Sequence, residues 1–244
     1  MHAFRQILRT EAKLHLRDIP TLVLTIALPT LILVVLGLIP SLREPSPDLG
    51  NQSFVTYFTP SLLVITLAMV GINALPTVLA TYRERGILRR LATTPASPLA
   101  LLAAQLVLAL TGILVSAVLL AVVARLAFDT PLPQHPLGFA AALVLGTAAL
   151  LAVGLLVAAV APTAKSAQAL AVPLFILVMF LGGVYLPRFL LPDFLADVGA
   201  YTPPGIQALL DAWTGTAPHP LHLGIMAVIA VAAGAAAVKL FRWE

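Results

Sequence analysis

The chain is 244 residues long, 60% hydrophobic and only 10% charged, with a mean hydropathy of +1.03. A soluble core cannot absorb that much apolar surface, whereas a bilayer can. The net charge of +4 is spread over separate basic segments, which excludes a nucleic-acid-binding stripe, and the absence of cysteine excludes thiol redox chemistry and thiolate metal sites.

Residues 1–20 open the chain as an interfacial elbow. Within Ala3–Asp18, Arg5, Arg9, Lys13 and Arg17 recur at four-residue spacing and form one basic stripe. Phe4, Ile7, Leu8, Ala12 and Leu14 gather opposite, interrupted by Glu11. A basic amphipathic helix beside an apolar run lies in the headgroup plane, where it either sets topology or also touches a partner below the membrane. No secretory signal is expected, because no small-residue cleavage site follows the first apolar run.

Six apolar runs are predicted to span the membrane: Thr21–Ile39, Val55–Ala80, Leu99–Ala124, Gly138–Val160, Gln168–Leu186 and Leu221–Val238. Crossing a hydrocarbon core takes about 20 helical residues. None of the runs contains Asp, Glu, Lys or Arg, and His222 is their sole histidine. Ion-driven transporters and intramembrane hydrolases carry coupling or catalytic groups at that depth. The energy for any transport is therefore expected from another subunit.

With the N-terminus inside, Arg5, Arg9, Lys13, Arg17, Arg83, Arg85, Arg89, Arg90, Lys165, Lys239 and Arg242 face the cytoplasm. Only Arg43, Arg125 and Arg188 face outward, a positive-inside assignment that places both termini in the cytoplasm. Pro29, Pro76 and Pro173 fall inside runs one, two and five and predict bends. Asn73 is a strong hydrogen-bonding amide deep in run two, placed either to face a substrate path or to bond a neighbouring helix. With Phe175 and Phe180 of run five it makes up the expected path.

The segment 81–98 after run two is the most telling. Ile87, Leu88 and Leu91 form a small apolar face with Glu84 one turn before Leu88, and Arg85 and Arg89 form a separate basic row. Pro95 biases Thr94 away from helical geometry and so ends the helix. A short helix with apolar knobs and charged flanks, fixed between two spans, is built for a soluble partner to grip. Beyond it, Arg125 and Asp129 are spaced as a helical pair, and Thr163 and Lys165 mark a second short inner loop, Pro162–Ala167.

The outer segment 187–220 carries two apolar stripes at helical spacing, Leu191–Phe194–Leu195–Val198 and Ile206–Leu209–Leu210–Trp213. Thr202 is placed as an N-cap before Pro203, and Gly215 as a terminator. The two helices flank Tyr201-Thr202-Pro203-Pro204-Gly205 in a hairpin too short to span, expected to pack on the outer ends of spans two and five. His219 and His222 are too few for a metal site, and no glycine-rich P-loop precedes any lysine, so no ATP site is expected in this chain.

The run Arg83-Glu-Arg-Gly-Ile-Leu-Arg-Arg-Leu-Ala-Thr-Thr-Pro95 resembles the first cytoplasmic loop of ABC-2-type transporter permeases, and is most similar to the small bacterial drug- and antibiotic-exporter branch, the daunorubicin-resistance permease type. The resemblance extends over the whole chain. It implies an all-α membrane protein, a single domain over residues 1–244 with six transmembrane helices, an N-terminal interfacial helix and an outer re-entrant hairpin.

It also implies a coupling helix that docks on a separate ATP-binding subunit. Glu84, Arg85, Gly86, Arg89, Arg90, Leu91 and Pro95 are the matching positions, and Tyr82, Arg83 and Leu88 complete the expected coupling site. Phe194, Tyr201, Pro203, Pro204, Gly205, Leu209 and Trp213 make up the expected outer gate. No cofactor is expected in the chain itself; ATP and magnesium belong to the partner. Expected partners are two ATPase subunits, a second permease copy, membrane lipids and a small amphiphilic substrate, in a bacterial cytoplasmic membrane. The polysaccharide-exporter branch often has an arginine after the proline where this chain has Gly205-Ile206, which leans toward drugs and lipids. A permease for a polysaccharide or other lipid-linked substrate, or a pore or membrane anchor that uses no ATP, stands as the alternative.

Overall fold

A computed structural model describes residues 2–92 and 98–241. The expectations placed on Pro95 and Arg242 lie outside the described residues. Among the described residues, six helices are long and apolar enough to cross a membrane: Ile19–Gly37, Phe54–Glu84, Leu99–Phe128, Pro136–Val160, Ala164–Leu181 and Pro220–Leu240. They are called spans one to six below. A separate helix, His2–Arg17, precedes them as the elbow, and a two-stranded ribbon, Pro45–Ser46 against Gln52–Ser53, closes the loop between spans one and two.

Span two is the hub. Leu62, Val64, Leu67, Ala68, Ile72 and Leu79 are all buried, whereas spans one, three, five and six keep broad apolar surfaces exposed. An interior this apolar, ringed by apolar outer faces, is what a bilayer solvates and water does not. Three of its buried hydroxyls are paired within the bundle: Thr59 donates to the Val55 carbonyl at 2.6 Å, and Thr66 and Ser116 share a hydrogen bond of 2.8 Å between spans two and three, whereas the buried Thr30 hydroxyl of span one has no partner among the described residues.

Spans one and two accommodate an internal proline by the same device. Each carries a π-helical turn, Val23–Ala27 and Met69–Ala74, directly before a Leu-Pro-Thr sequence at Leu28–Thr30 and Leu75–Thr77. A proline inside an α-helix leaves the carbonyl four residues back without its donor and presses its ring on it, and one wider turn relieves both. Pro29 and Pro76 thus each follow a π turn, at the places where bends were expected. Pro173, and also Pro60, are carried inside continuous helix.

The π turn of span two seats on span four. A Cβ on Gly154 would collide with the Gly71 carbonyl oxygen, and one on Gly71 would stand 3.1 Å from the Leu150 Cβ. Here glycine is required by the close approach of two backbones.

Span two also runs further than predicted, to Glu84 rather than Ala80, so Tyr82, Arg83 and Glu84 are its last turn and not part of a loop. Gly86, at φ +66°, makes the turn into a separate short helix, Ile87–Ala92.

Candidate functional site

Tyr82, Arg83 and Glu84 each reach a different element at the basic end of the bundle. The Arg83 Nη1 donates to the carbonyls of Ala158 and Ala161, both at 2.8 Å, at the C-terminal end of span four. Its guanidinium also lies 4.8 Å from the centre of the Phe241 ring, just past span six. A cation there meets the last carbonyls of a helix and the negative end of its dipole. The next residue does the reverse: Glu84 accepts from the backbone N–H of Ala164 at 3.0 Å, at the first turn of span five. One dipeptide therefore holds both sides of the turn between spans four and five, each charge matched to its helix end.

That turn is itself well formed. Thr163 caps span five, accepting from the Ser166 N–H at 3.1 Å, while the Ser166 hydroxyl accepts from the Thr163 N–H at 3.0 Å. Lys165 stands exposed beside it.

Tyr82 leads to a residue that sequence reasoning passed over. Its hydroxyl donates to Glu11 Oε2 at 2.6 Å, and Gln105 Nε2 of span three donates to the same oxygen at 2.6 Å. Glu11 ties the elbow to spans two and three. It is the acid that interrupts the apolar face of the elbow, and that interruption was the available signal: a carboxylate on a buried face needs donors.

The short helix differs from its prediction. Leu88 is only 2% exposed and packs within the chain rather than projecting as a knob, and Ile87 and Leu91 are half-buried. With the helix lying against spans two and three, its apolar face is consumed at home. What the helix offers outward is charge, Arg89 and Arg90, beside the exposed Glu84 and Arg85 at the end of span two.

A cavity of about 470 Å³ opens beside this region, between the two π turns. Its walls come from the elbow, spans one, two, three and five, and include Leu24, Met69, Asn73, Leu108 and Val172. Asn73 therefore faces this space. Phe175 and Phe180 are half-buried and do not line it. A second, almost wholly apolar groove of about 530 Å³ separates spans three and four and includes Leu110, Leu143 and Leu151.

At the opposite end, the helices Asp193–Tyr201 and Ile206–Thr214 form the hairpin. Its second stripe is buried as predicted, with Ile206, Leu209, Leu210 and Trp213 all in the core and Trp213 at 2% exposure. The Trp213 ring meets Phe139 edge-on at 5.5 Å. The first stripe is not buried: Phe194 is 66% exposed, Val198 is exposed as well, and Leu191 is buried ahead of the helix.

The hairpin rests on spans two and five as expected, its second helix on span two and its first on span five, but the main seat of the second helix is span four, which the sequence did not indicate. Gly146 makes this possible, since a Cβ there would collide with the Pro204 carbonyl. Thr202 does not cap the second helix. The cis Pro203–Pro204 pair and Gly205, at φ +75°, intervene, and the Thr202 hydroxyl donates to the Gly199 carbonyl at 3.2 Å instead. Gly215, at φ +99°, ends the helix as predicted.

Arg188 pins the two halves together, its Nη2 donating to the Ala196 carbonyl at 2.9 Å and to Gln207 Oε1 at 3.0 Å. Burial pulls its guanidinium below the usual arginine value, against the opposing pull of Tyr57, Asp211 and Asp197. Tyr201 is exposed and packs edge-on against His222, their ring centres 5.0 Å apart. Arg125 and Asp129 pair at 2.6 Å on the exposed end of span three, where such a pair is worth about 0.3–0.5 kcal/mol.

Compared with known proteins, residues 2–203 match the family model described as ABC-2 type transporter. No curated protein and no solved structure matches the chain.

Proposed function

The chain belongs to the ABC-2 type transporter family, a multi-pass transport subunit that pairs with an ATPase subunit, and from that premise we propose that it is the permease of an exporter for amphiphilic drugs, antibiotics or lipids. In this reading two copies of the permease meet two copies of a separate ATPase in a bacterial cytoplasmic membrane, with both termini on the ATPase side. ATP and magnesium act in the partner, which pushes on the exposed charges Glu84, Arg85, Arg89 and Arg90. The hairpin from Arg188 to Trp213 serves as the outer gate.

The observation that carries the ATP-driven reading is the grip of Arg83 and Glu84 on the turn between spans four and five. A push on the short helix reaches the last turn of span two through Gly86, and from there both helix ends together. Spans one and two can then exchange an inward-open for an outward-open arrangement, biased by whichever state the ATP-bound partner prefers. The largely apolar walls of the 470 Å³ cavity support an amphiphile as cargo.

The test is to co-reconstitute the permease with its partner ATPase subunit, identified by co-purification, and measure ATP hydrolysis across a panel of amphiphiles. Stimulated hydrolysis together with outward movement of the same compound is expected. Hydrolysis indifferent to every compound, or transport that proceeds without ATP, would overturn the proposal.

A further inference from the structure

The cavity between the two π turns has a chemical bias beyond its size. Its described lining includes His15, Asp18, Thr25, Asn73, Thr77, Gln105 and Gln168, but no lysine or arginine, although the chain carries fourteen of them. The basic stripe of the elbow lies on another face. Asp18 stands at the mouth, where the elbow gives way to span one.

Several of the polar groups keep accepting capacity. The Asp18 carboxylate holds the Thr21 N–H at 3.4 Å, a long bond for an ion with about four acceptor positions. Gln105 donates one amide N–H to Glu11, which fixes the amide orientation and leaves Oε1 as an acceptor beside the second N–H. The Thr25 hydroxyl commits its hydrogen to the Thr21 carbonyl at 2.7 Å, leaving lone pairs. Behind Gln105 lies a second carboxylate, Glu11, whose partners Tyr82 and Gln105 are neutral donors.

An anionic headgroup entering here would meet a carboxylate and acceptors with no lysine or arginine in the described lining to receive it, at a cost that grows as water leaves. A protonated amine meets the opposite: it supplies a positive charge for the carboxylate and donors for the free acceptors. Resting on the permease reading above, we propose that this cavity selects amphiphiles bearing an ammonium group, with Asp18 holding the cation at the mouth and the tail running along Leu24, Met69, Leu108 and Val172. The ammonium belongs either to a free amphiphilic amine or to a lipid headgroup.

The test needs no ATPase, so its outcome is separate from that of the transport assay. The full chain in nanodiscs is titrated with three dansyl undecyl probes that differ only at the free end: a primary amine, its N-acetyl derivative and a carboxylate. The saturable signal is read after subtraction of empty nanodiscs. The amine is expected to bind at least tenfold more tightly than the carboxylate. Asp18→Asn keeps the helix cap, since asparagine caps as well as aspartate, and should weaken the amine about tenfold while leaving the acetyl probe unchanged. Repeating the titration with and without phosphatidylethanolamine separates the two sources. Competition by that lipid assigns the ammonium to a headgroup, and indifference assigns it to a free amine. Equal binding of amine and carboxylate, or an Asp18→Asn effect equal on all three probes, would overturn the proposal while leaving the transporter reading standing.

Discussion

The Arg83–Glu84 clamp can be broken one side at a time, with different energetic and functional consequences. Glu84 gives one charge-assisted hydrogen bond to a helix N-terminus at an exposed position, worth about 0.5–1 kcal/mol. Arg83 gives two 2.8 Å bonds from one nitrogen and a ring contact. A hydrogen bond involving a charge contributes about 1.5–3 kcal/mol, and a partly screened cation over a ring about 0.5–1 kcal/mol. Arg83→Met should therefore cost about 2–4 kcal/mol, since bonds that share a nitrogen do not add fully.

Glu84→Ala should leave the melting temperature of the purified permease almost unchanged yet lower the ratio of substrate moved to ATP hydrolysed, because span five no longer follows span two. Arg83→Met should lower both, and Arg83→Lys should recover part of each. The assay is paired: thermal melting of the permease alone, and coupled transport with the ATPase in proteoliposomes. Wild-type coupling in Glu84→Ala, with Arg83→Met impaired only as far as its melting predicts, would show that the clamp is a structural brace and nothing more.

Other substitutions probe the remaining contacts. In this cysteine-free chain, cysteines at Glu44 and Lys165 should label from opposite sides of the membrane, Glu44 from outside; labelling from one side would refute the inside-basic orientation. Arg85→Glu should reduce co-purification of the ATPase while leaving the permease melting curve in place. Trp213→Ala should destabilise the permease by about 3–5 kcal/mol, the usual cost of truncating a large buried ring, and a melting curve within a degree of wild type would contradict its burial. Arg188→Ala should make the hairpin a protease target from the outer side, because its two helices lose their shared donor; unchanged resistance would mean that the seat on span four is enough. Gly154→Val should block the approach of the span-two π turn and lower stability sharply, whereas Gly112→Val, at a glycine with open space around it, should not.

Periodicity, charge and the prolines by themselves determined the number of spans, the elbow, the second hairpin stripe and, at Pro29 and Pro76 though not at Pro173, where the α-helical ladder gives way to a π turn. These follow from local physics, since a helix long and apolar enough to span is recognisable from composition, and a proline acts on its own turn. The stretch from Tyr82 to Leu91 was legible as a special site, but not what each residue does there.

Tertiary structure decided those roles, because they depend on partners far along the chain: Glu11 with Tyr82 and Gln105, Arg83 with Ala158 and Ala161, Glu84 with Ala164. The same holds for Leu88, apolar and so predicted as a docking knob, yet buried within its own chain. It holds for Phe194 too, whose stripe looked equal to that of Trp213 until the seat on span four admitted only one of the two helices. An amphipathic pattern says that one face must be covered; it carries no information on whether protein or lipid covers it. In a membrane, where lipid covers an apolar face as readily as protein does, only the packing of notches such as Gly146 and Gly154 against approaching carbonyls makes that choice.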